Sequence, residues 1–457
     1  MRVVSGTRHT VRKPGKYRVQ FPERESEPHP MPEADIRRFI RFLMARIASS
    51  LSFQMLSVAV GWQIYRQTGS AFALGLVGLC QFLPMVALTL LVGHLADRFD
   101  RRRIVAICMG VEAVCAGVLA LGVFTHHLSL PLIYLLIVLG GSARAFESPT
   151  MATLIPALVP RGDLARATAW SSSSNQTAQI LGPALGGVVY AVSAGAAFAG
   201  SALLFLTGLL LITSLRLARR PTSRQPVTLA SLFSGIHFIV RRPVIFGTIS
   251  LDLFAVLLGG ATALLPIFAD HILKTGPWGL GLLRSAPAIG ALCMSVCLAR
   301  RPLAGPIGRI LFGSLLLFGT ATVVFALSRS IVLSLVALMV LGASDAVSVV
   351  VRTTLVQLQT PDDMLGRVSA VNMLFIGTSN QLGEFESGTT AAWFGTVPAV
   401  VIGGIGTILV SLLWMKLFPA LRDIRSLEAA PTPAEADTQA LKQAEAGADP
   451  TRAQAIR

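Results

Sequence analysis

The chain has 457 residues, 53% of them hydrophobic and only 14% charged, with a formal net charge of +16. A soluble domain carries about 25% charged residues, and this much apolar surface finds cover in a bilayer rather than in a soluble core. The positive charge would suggest nucleic acid in a soluble protein. Here the arginines fall between apolar segments and no basic face stands apart from them, which argues against a nucleic-acid partner and makes them topology signals.

Residues 1–34 are basic, contain proline and lack an apolar stretch, so they read as a cytoplasmic tail rather than a secretory signal. Apolar segments then recur at 38–65, 72–96, 104–125, 130–157, 164–191, 196–216, 244–270, 279–299, 307–327, 331–358, 365–392 and 397–418. Each is long enough to cross a hydrocarbon layer of roughly 30 Å as a helix, and helices are the default because lipid cannot satisfy an open backbone. The expected fold is an all-α membrane protein of twelve transmembrane helices. Residues 420–457 are rich in alanine and charge and lack a large apolar face, which predicts a disordered or weakly helical tail.

Orientation follows from the arginines. One set of connections holds Arg98, Arg101, Arg102, Arg103, Arg161, Arg219, Arg220, Arg224, Arg241, Arg242, Arg300 and Arg301, while the alternate set holds little beyond Arg66, Lys274 and Arg329. The rich set should face the cytoplasm, and with an even helix count both termini should lie there. All five cysteines lie inside apolar runs, so no disulfide framework is expected; Cys293 and Cys297 have helical spacing but no further ligands beside them, which reads as packing.

The longest internal connection divides the chain into bundles at 35–217 and 244–419, joined by a cytoplasmic loop at 218–243. The halves match at an offset of 201: Pro160, Leu164, Arg166, Ala169, Thr177, Leu181, Gly182 and Gly187 meet Pro361, Leu365, Arg367, Ala370, Thr378, Leu382, Gly383 and Gly388. Two like halves in parallel repeat describe a transporter that rocks about a site between them; the alternative is a compositional likeness among membrane helices.

Gly93-His94-Leu95-Ala96-Asp97-Arg98-Phe99-Asp100-Arg101-Arg102-Arg103 joins the second and third segments. It resembles the loop signature of the major facilitator superfamily, with Asp100 in place of that family's second glycine. The resemblance implies that Gly93, Asp97, Arg98 and Arg101 serve the cytoplasmic gate, with Asp97 as its latch near the start of the eleventh segment; the alternative is a loop that only sets topology. Gly182-Pro183-Ala184-Leu185-Gly186-Gly187 in the fifth segment is similar to an element of the family's proton-antiporting exporters. Pro183 removes a backbone hydrogen bond and the glycines admit a close neighbour. Further stretches, Phe146-Glu147-Ser148-Pro149 and Gly366-Arg367-Val368-Ser369-Ala370 among them, resemble the enterobactin-exporter-like and macrolide-efflux-like branch. The resemblance implies export of siderophore-like or drug-like small molecules by alternating access with proton antiport; a monomer in the bacterial inner membrane, without a cofactor and without enzymatic activity, is the expectation.

Ionisable residues inside a bilayer are costly and are functional candidates by default. The set is Glu112, Arg144, Glu147, Asp252, Arg284, Asp345, Arg352, Glu384 and Glu386. Arg144 and Glu147 share a helix face and can pair, either as a proton switch or as a static tie. Asp252 has no opposite charge at helical spacing, which makes it a second proton candidate unless another helix supplies a partner. Glu112 and Glu384 complete the proton candidates. Asp345, Arg352 and Glu386 are candidates for cavity or gate; Asp345 and Arg352, two turns apart on one helix face, could instead form a structural pair. The polar run Ser171–Gln176 suits a water-filled cavity or interhelical hydrogen bonds. No P-loop, metal-ligand spacing or nucleophile elbow is present. The competing functions are an importer or lipid flippase of the same fold, or a membrane sensor that transports nothing.

Overall fold

The computed structural model describes residues 33–215, 229–301, 303 and 305–425. These form helices without a strand among them. The first six are α1 (Glu33–Thr68), α2 (Ala71–Arg98), α3 (Arg101–Phe124), α4 (Leu130–Leu158), α5 (Leu164–Val192) and α6 (Ala194–Thr213). A short helix, α7 (Leu229–Val240), precedes α8 (Pro243–Leu258) and a single turn, α9 (Leu265–Ile267). Then come α10 (Gly276–Arg300), α11 (Ile307–Leu327), α12 (Ile331–Leu358), α13 (Asp362–Phe394), α14 (Thr396–Leu417) and the turn α15 (Pro419–Arg422).

Local chemistry sets the boundaries. Asp100 caps α3, its carboxylate accepting from the Arg102 amide at 3.0 Å, so the residue that departs from the family's glycine has a structural task. Ser193 caps α6 through the Ala196 amide. Proline opens α4, α8 and α10, where its missing N–H costs nothing. The backbone turns from α13 into α14 at Gly395 alone, with φ 90°, a conformation that favours glycine.

Two segments differ from the sequence expectation. The span expected at 244–270 is not one continuous α-helix: α8 stops at Leu258, and a 3-10 turn (Ala261–Leu264), α9 and a π turn (Phe268–Ile272) follow. Gly259 and Gly260 are weak helix formers, and a Cβ on Gly260 would lie 2.4 Å from the Gly383 carbonyl oxygen, so α13 crosses at the break. The connection expected at 218–243 contains α7. Of the tails expected at 1–34 and 420–457, residues 1–32 and 426–457 lie outside the described residues; α1 already begins at Glu33, and α15 extends into the second tail to Arg422.

Among the described residues, ten helical stretches are long and apolar enough to cross a membrane. Of the long helices only α5 and α13 fall outside that set. They carry the polar run around Ser171–Gln176 and the pair Glu384 and Glu386, residues expected of the two helices that face a seam.

Packing repeats between the halves. In the first, α1 packs on α5 and α6, α3 on α4 and α6, and α2 on α4. In the second, α8 packs on α13 and α14, α11 on α12 and α14, and α10 on α12. Across the seam α2 meets α13 and α5 meets α10, an exchange that a two-fold axis generates.

The apolar core shows how the halves are disposed. At the arginine-poor end one cluster runs through both, from Val58, Ile64 and Phe198 to Leu264, Phe268 and Phe325. At the arginine-rich end the clusters separate: Phe42, Met109 and Leu154 belong to the first half, while Phe312 and Leu355, and Ile249 and Val368, belong to the second. Two bundles joined at one end and independent at the other leave a cleft between them.

Candidate functional site: a polar seam and two buried ion clusters

At two places the seam brings backbone against backbone. A Cβ on Gly187 would lie 2.4 Å from the Pro277 carbonyl oxygen, and one on Gly388 would lie 2.5 Å from the Cα of Gly75. Gly182 and Gly186 face the other way, toward α1, at 2.4 Å from the Gln54 Cβ and 2.8 Å from the Met55 Cα. The signature in α5 therefore packs its own bundle and meets the opposite one. Pro183 is buried within it, and its carbonyl oxygen lies 2.5 Å from where a Cβ on Gly281 would stand.

Above this closure lies a cavity of about 250 Å³. Its polar lining comes from both halves: Gln54, Ser57, Gln81 and Glu112 from the first, Arg284, Gln381 and Glu384 from the second. Arg284 donates to the Ser57 hydroxyl across the seam. Gln381 donates to Gln81 at 3.3 Å. The Arg284 Nε and the Gln381 Oε1 have no partner.

An ion cluster sits behind the cavity in the first half. Helical spacing on α4 puts Arg144 and Glu147 on one face, and they pair at 2.5 Å. Ser49 of α1 donates to Glu147 at 2.6 Å and accepts from Arg144 at 3.0 Å. Glu112 of α3 is 3% exposed, and neither of its carboxylate oxygens has a hydrogen-bond partner. It interacts electrostatically with Glu147 and Arg144. A carboxylate buried without a hydrogen-bond partner beside a second carboxylate sheds the cost of its charge by taking up a proton. The Arg144 guanidinium stacks 4.5 Å from the centre of the Phe53 ring, and Phe53 also lines the cavity. A cargo touching Phe53 and Glu112 thus touches the ion cluster.

The second half has its own cluster. Arg352 of α12 pairs with Asp252 of α8 and lies 3.8 Å from Asp345. Asp252 is therefore paired from another helix, which spacing along α8 alone did not reveal. Asp252 and Arg352 are buried, while the Asp345 side chain is 43% exposed. Asp345 and Arg352 do not line the cavity between the halves. Nor does Glu386, which turns aside and accepts from Thr390 at 2.8 Å and from Ser387 at 3.4 Å. In α5 the polar run makes interhelical hydrogen bonds: Gln176 donates to the Ala288 carbonyl and Asn175 accepts from Ser50. The side chains of Gly93, Asp97 and Arg98 lie outside the described residues; α2 runs to Arg98, and Arg101 reaches the Thr153 carbonyl at 3.5 Å.

The sequence reading missed Arg46. It stands on α1 beside Arg144 and Glu147, with Nε and Nη1 both buried and without partners. Its position inside the first apolar segment was the available signal.

The family model of the Major Facilitator Superfamily matches residues 42–383, about three quarters of the chain. The chain belongs to the major facilitator superfamily. This facilitator is a multi-pass membrane protein and a secondary transporter of small molecules. It is 29% identical to "Enterobactin exporter EntS" of Citrobacter koseri over 406 residues, covering 85% of this chain and 93% of the relative. It is 27% identical to the protein of the same name in Escherichia coli K12 over 392 residues, with the same coverage. Its fold is similar to a bacterial homologue of the lysosomal transporter Spinster in an inward-facing and occupied conformation. There the TM-score is 0.68 at 13% identity, covering 87% of this chain and 99% of that one. A bacterial homologue of the iron transporter ferroportin in an inward-facing state gives a TM-score of 0.65 at 17% identity, covering 83% and 98%.

Proposed function

We propose that this facilitator exports small organic molecules, siderophore-like or drug-like, in exchange for protons. The observation that carries the reading is Glu112, a buried carboxylate without a partner that lines the cavity and neighbours the Arg144–Glu147 pair. An uncompensated carboxylate is costly inside a membrane, and binding a proton relieves that cost. Cargo at Phe53 displaces or reorients Arg144, and that changes the proton's hold on Glu112 and Glu147. Export and a siderophore cargo draw support from the relatives named enterobactin exporters.

In this reading twelve helices cross the bacterial inner membrane, with both termini and the arginine-rich connections in the cytoplasm. The bundles are 35–217 and 244–419, and a monomer suffices because the seam lies within one chain. The continuous core at the arginine-poor end then makes this the inward-facing state. Asp97 latches the opposite gate when the halves rock over. No cofactor and no nucleic-acid partner enter this reading.

Everted membrane vesicles test this. Enterobactin should accumulate in vesicles with an acidic interior and stop accumulating when the pH gradient is collapsed. Equal accumulation with and without the gradient would remove protons from the mechanism, and none in either case would remove this cargo.

A further inference from the structure

The helix α7 has two unlike faces. Gly235 lies against the backbone of α13, where a Cβ would stand 3.1 Å from the Arg367 carbonyl oxygen and 3.2 Å from Val371. Ile239 is buried with Ile245, Ile249, Val368 and Val371. On the outer face Phe233, Ile236 and Val240 are 67%, 37% and 58% exposed. At about 100° per residue these three fall within an arc of about 60°, a continuous apolar stripe turned away from the protein.

The ends of the helix fix its depth. It stops at Val240, and Pro243 begins α8 only three residues later. Its inner face packs on the first turns of α8 and α13, so α7 lies where the chain enters the bilayer. Between the two helices stand Arg241 and Arg242, both exposed. Among the described residues neither pairs with a carboxylate, and Arg242 stacks 5.5 Å from the centre of the Phe238 ring. An apolar stripe beside unpaired guanidinium groups at the membrane surface matches one occupant: acyl chains below and acidic headgroups above.

We propose that α7 is an acidic-phospholipid binding site, with Arg241 and Arg242 holding the headgroup phosphate and Phe233, Ile236 and Val240 resting on the acyl chains. The site touches α13, a helix of the seam, through Gly235, so bound lipid braces the end of α13 that moves when the halves rock. This inference does not depend on the direction of transport or on its coupling.

Native mass spectrometry of the purified full chain tests it, with phosphatidylglycerol, phosphatidylcholine and glycerol phosphate titrated separately. Wild-type protein should retain phosphatidylglycerol at about thirtyfold lower concentration than phosphatidylcholine, given about 1 kcal/mol for each of the two basic residues near an anionic surface. The R241Q/R242Q variant should lose that preference and R241K/R242K should keep most of it. The F233S/V240S variant should weaken both lipids, and glycerol phosphate alone should not bind. Equal retention of the two lipids by wild type, or an undiminished preference in R241Q/R242Q, would overturn the proposal. So would binding of glycerol phosphate alone, or undiminished retention of both lipids by F233S/V240S.

Discussion

Gly187 of α5 and Gly281 of α10 meet so closely that a Cβ on Gly187 would lie 2.9 Å from the Cα of Gly281. No side chain stands between the two halves here, so any added atom must push them apart. Gly187→Val should therefore disfavour the state closed at this end. Overpacking costs about 1–3 kcal/mol, which shifts a two-state equilibrium by about 5- to 150-fold. Transport should fall by at least fivefold with little change in the folded yield, while Gly117→Ala, where nothing lies within 4 Å, should behave as wild type. Initial rates beside a thermal melt check both.

Gly388 lies 201 residues further on and faces Gly75 in the same way. Gly388→Val should reproduce the Gly187→Val phenotype, and the double variant should lose less than the sum of the two, since both act on one closure. Additive losses in a double-mutant cycle would mean that the two contacts belong to separate steps.

Glu112 and Glu147 divide the coupling from the scaffold. Glu112→Gln keeps the shape of the cavity wall and removes a charge that has no partner. The protein should stay folded, keep binding cargo, and lose gradient-driven transport. Glu147→Gln breaks the tie to Arg144 and Ser49, so it should lose transport and also about 3–5 kcal/mol of stability, as expected when one partner of a buried pair is removed. Cargo affinity, vesicle transport and melting temperature separate the two.

The buried pair Asp252–Arg352 predicts a rescue. Arg352→Gln leaves Asp252 unpaired and should lower the melting temperature sharply, and so should Asp252→Asn. The double variant should recover much of that loss, because two neutral groups replace an orphaned charge. Asp345→Asn, at a side chain 43% exposed, should cost far less. Four melting curves decide this.

Much of the architecture was legible because membrane burial leaves blunt signals. Apolar length marked the spans, arginine placement marked the rich end, and the repeat at 201 residues put Gly187 and Gly388 in equivalent places. Of the ion pairs, Arg144–Glu147 and Asp345–Arg352 could be read directly, since the residues of each share one face of one helix. Asp252 with Arg352, and Arg284 with Ser57, join residues 100 and 227 positions apart, and no periodicity along one helix reveals a partner on another. The break after Leu258 was hidden because Gly259 and Gly260 occur within an otherwise apolar run, and membrane helices tolerate glycine. The helix α7 was masked by its neighbours: its flanking arginines read as a topology signal before its apolar stripe drew notice.

The central claim is that two bundles rock about this seam, opening one end as the other closes. Spin labels on a cysteine-free background can report both ends at once. One pair would sit at Val192 and Trp278, beside the glycine closure, and the other at Thr168 and Ala299, at the arginine-rich end of α5 and α10, all four exposed. On adding cargo at constant pH, the first distance should lengthen while the second shortens in the same molecules. Both distances changing in the same direction, or neither changing while transport continues, would contradict the account.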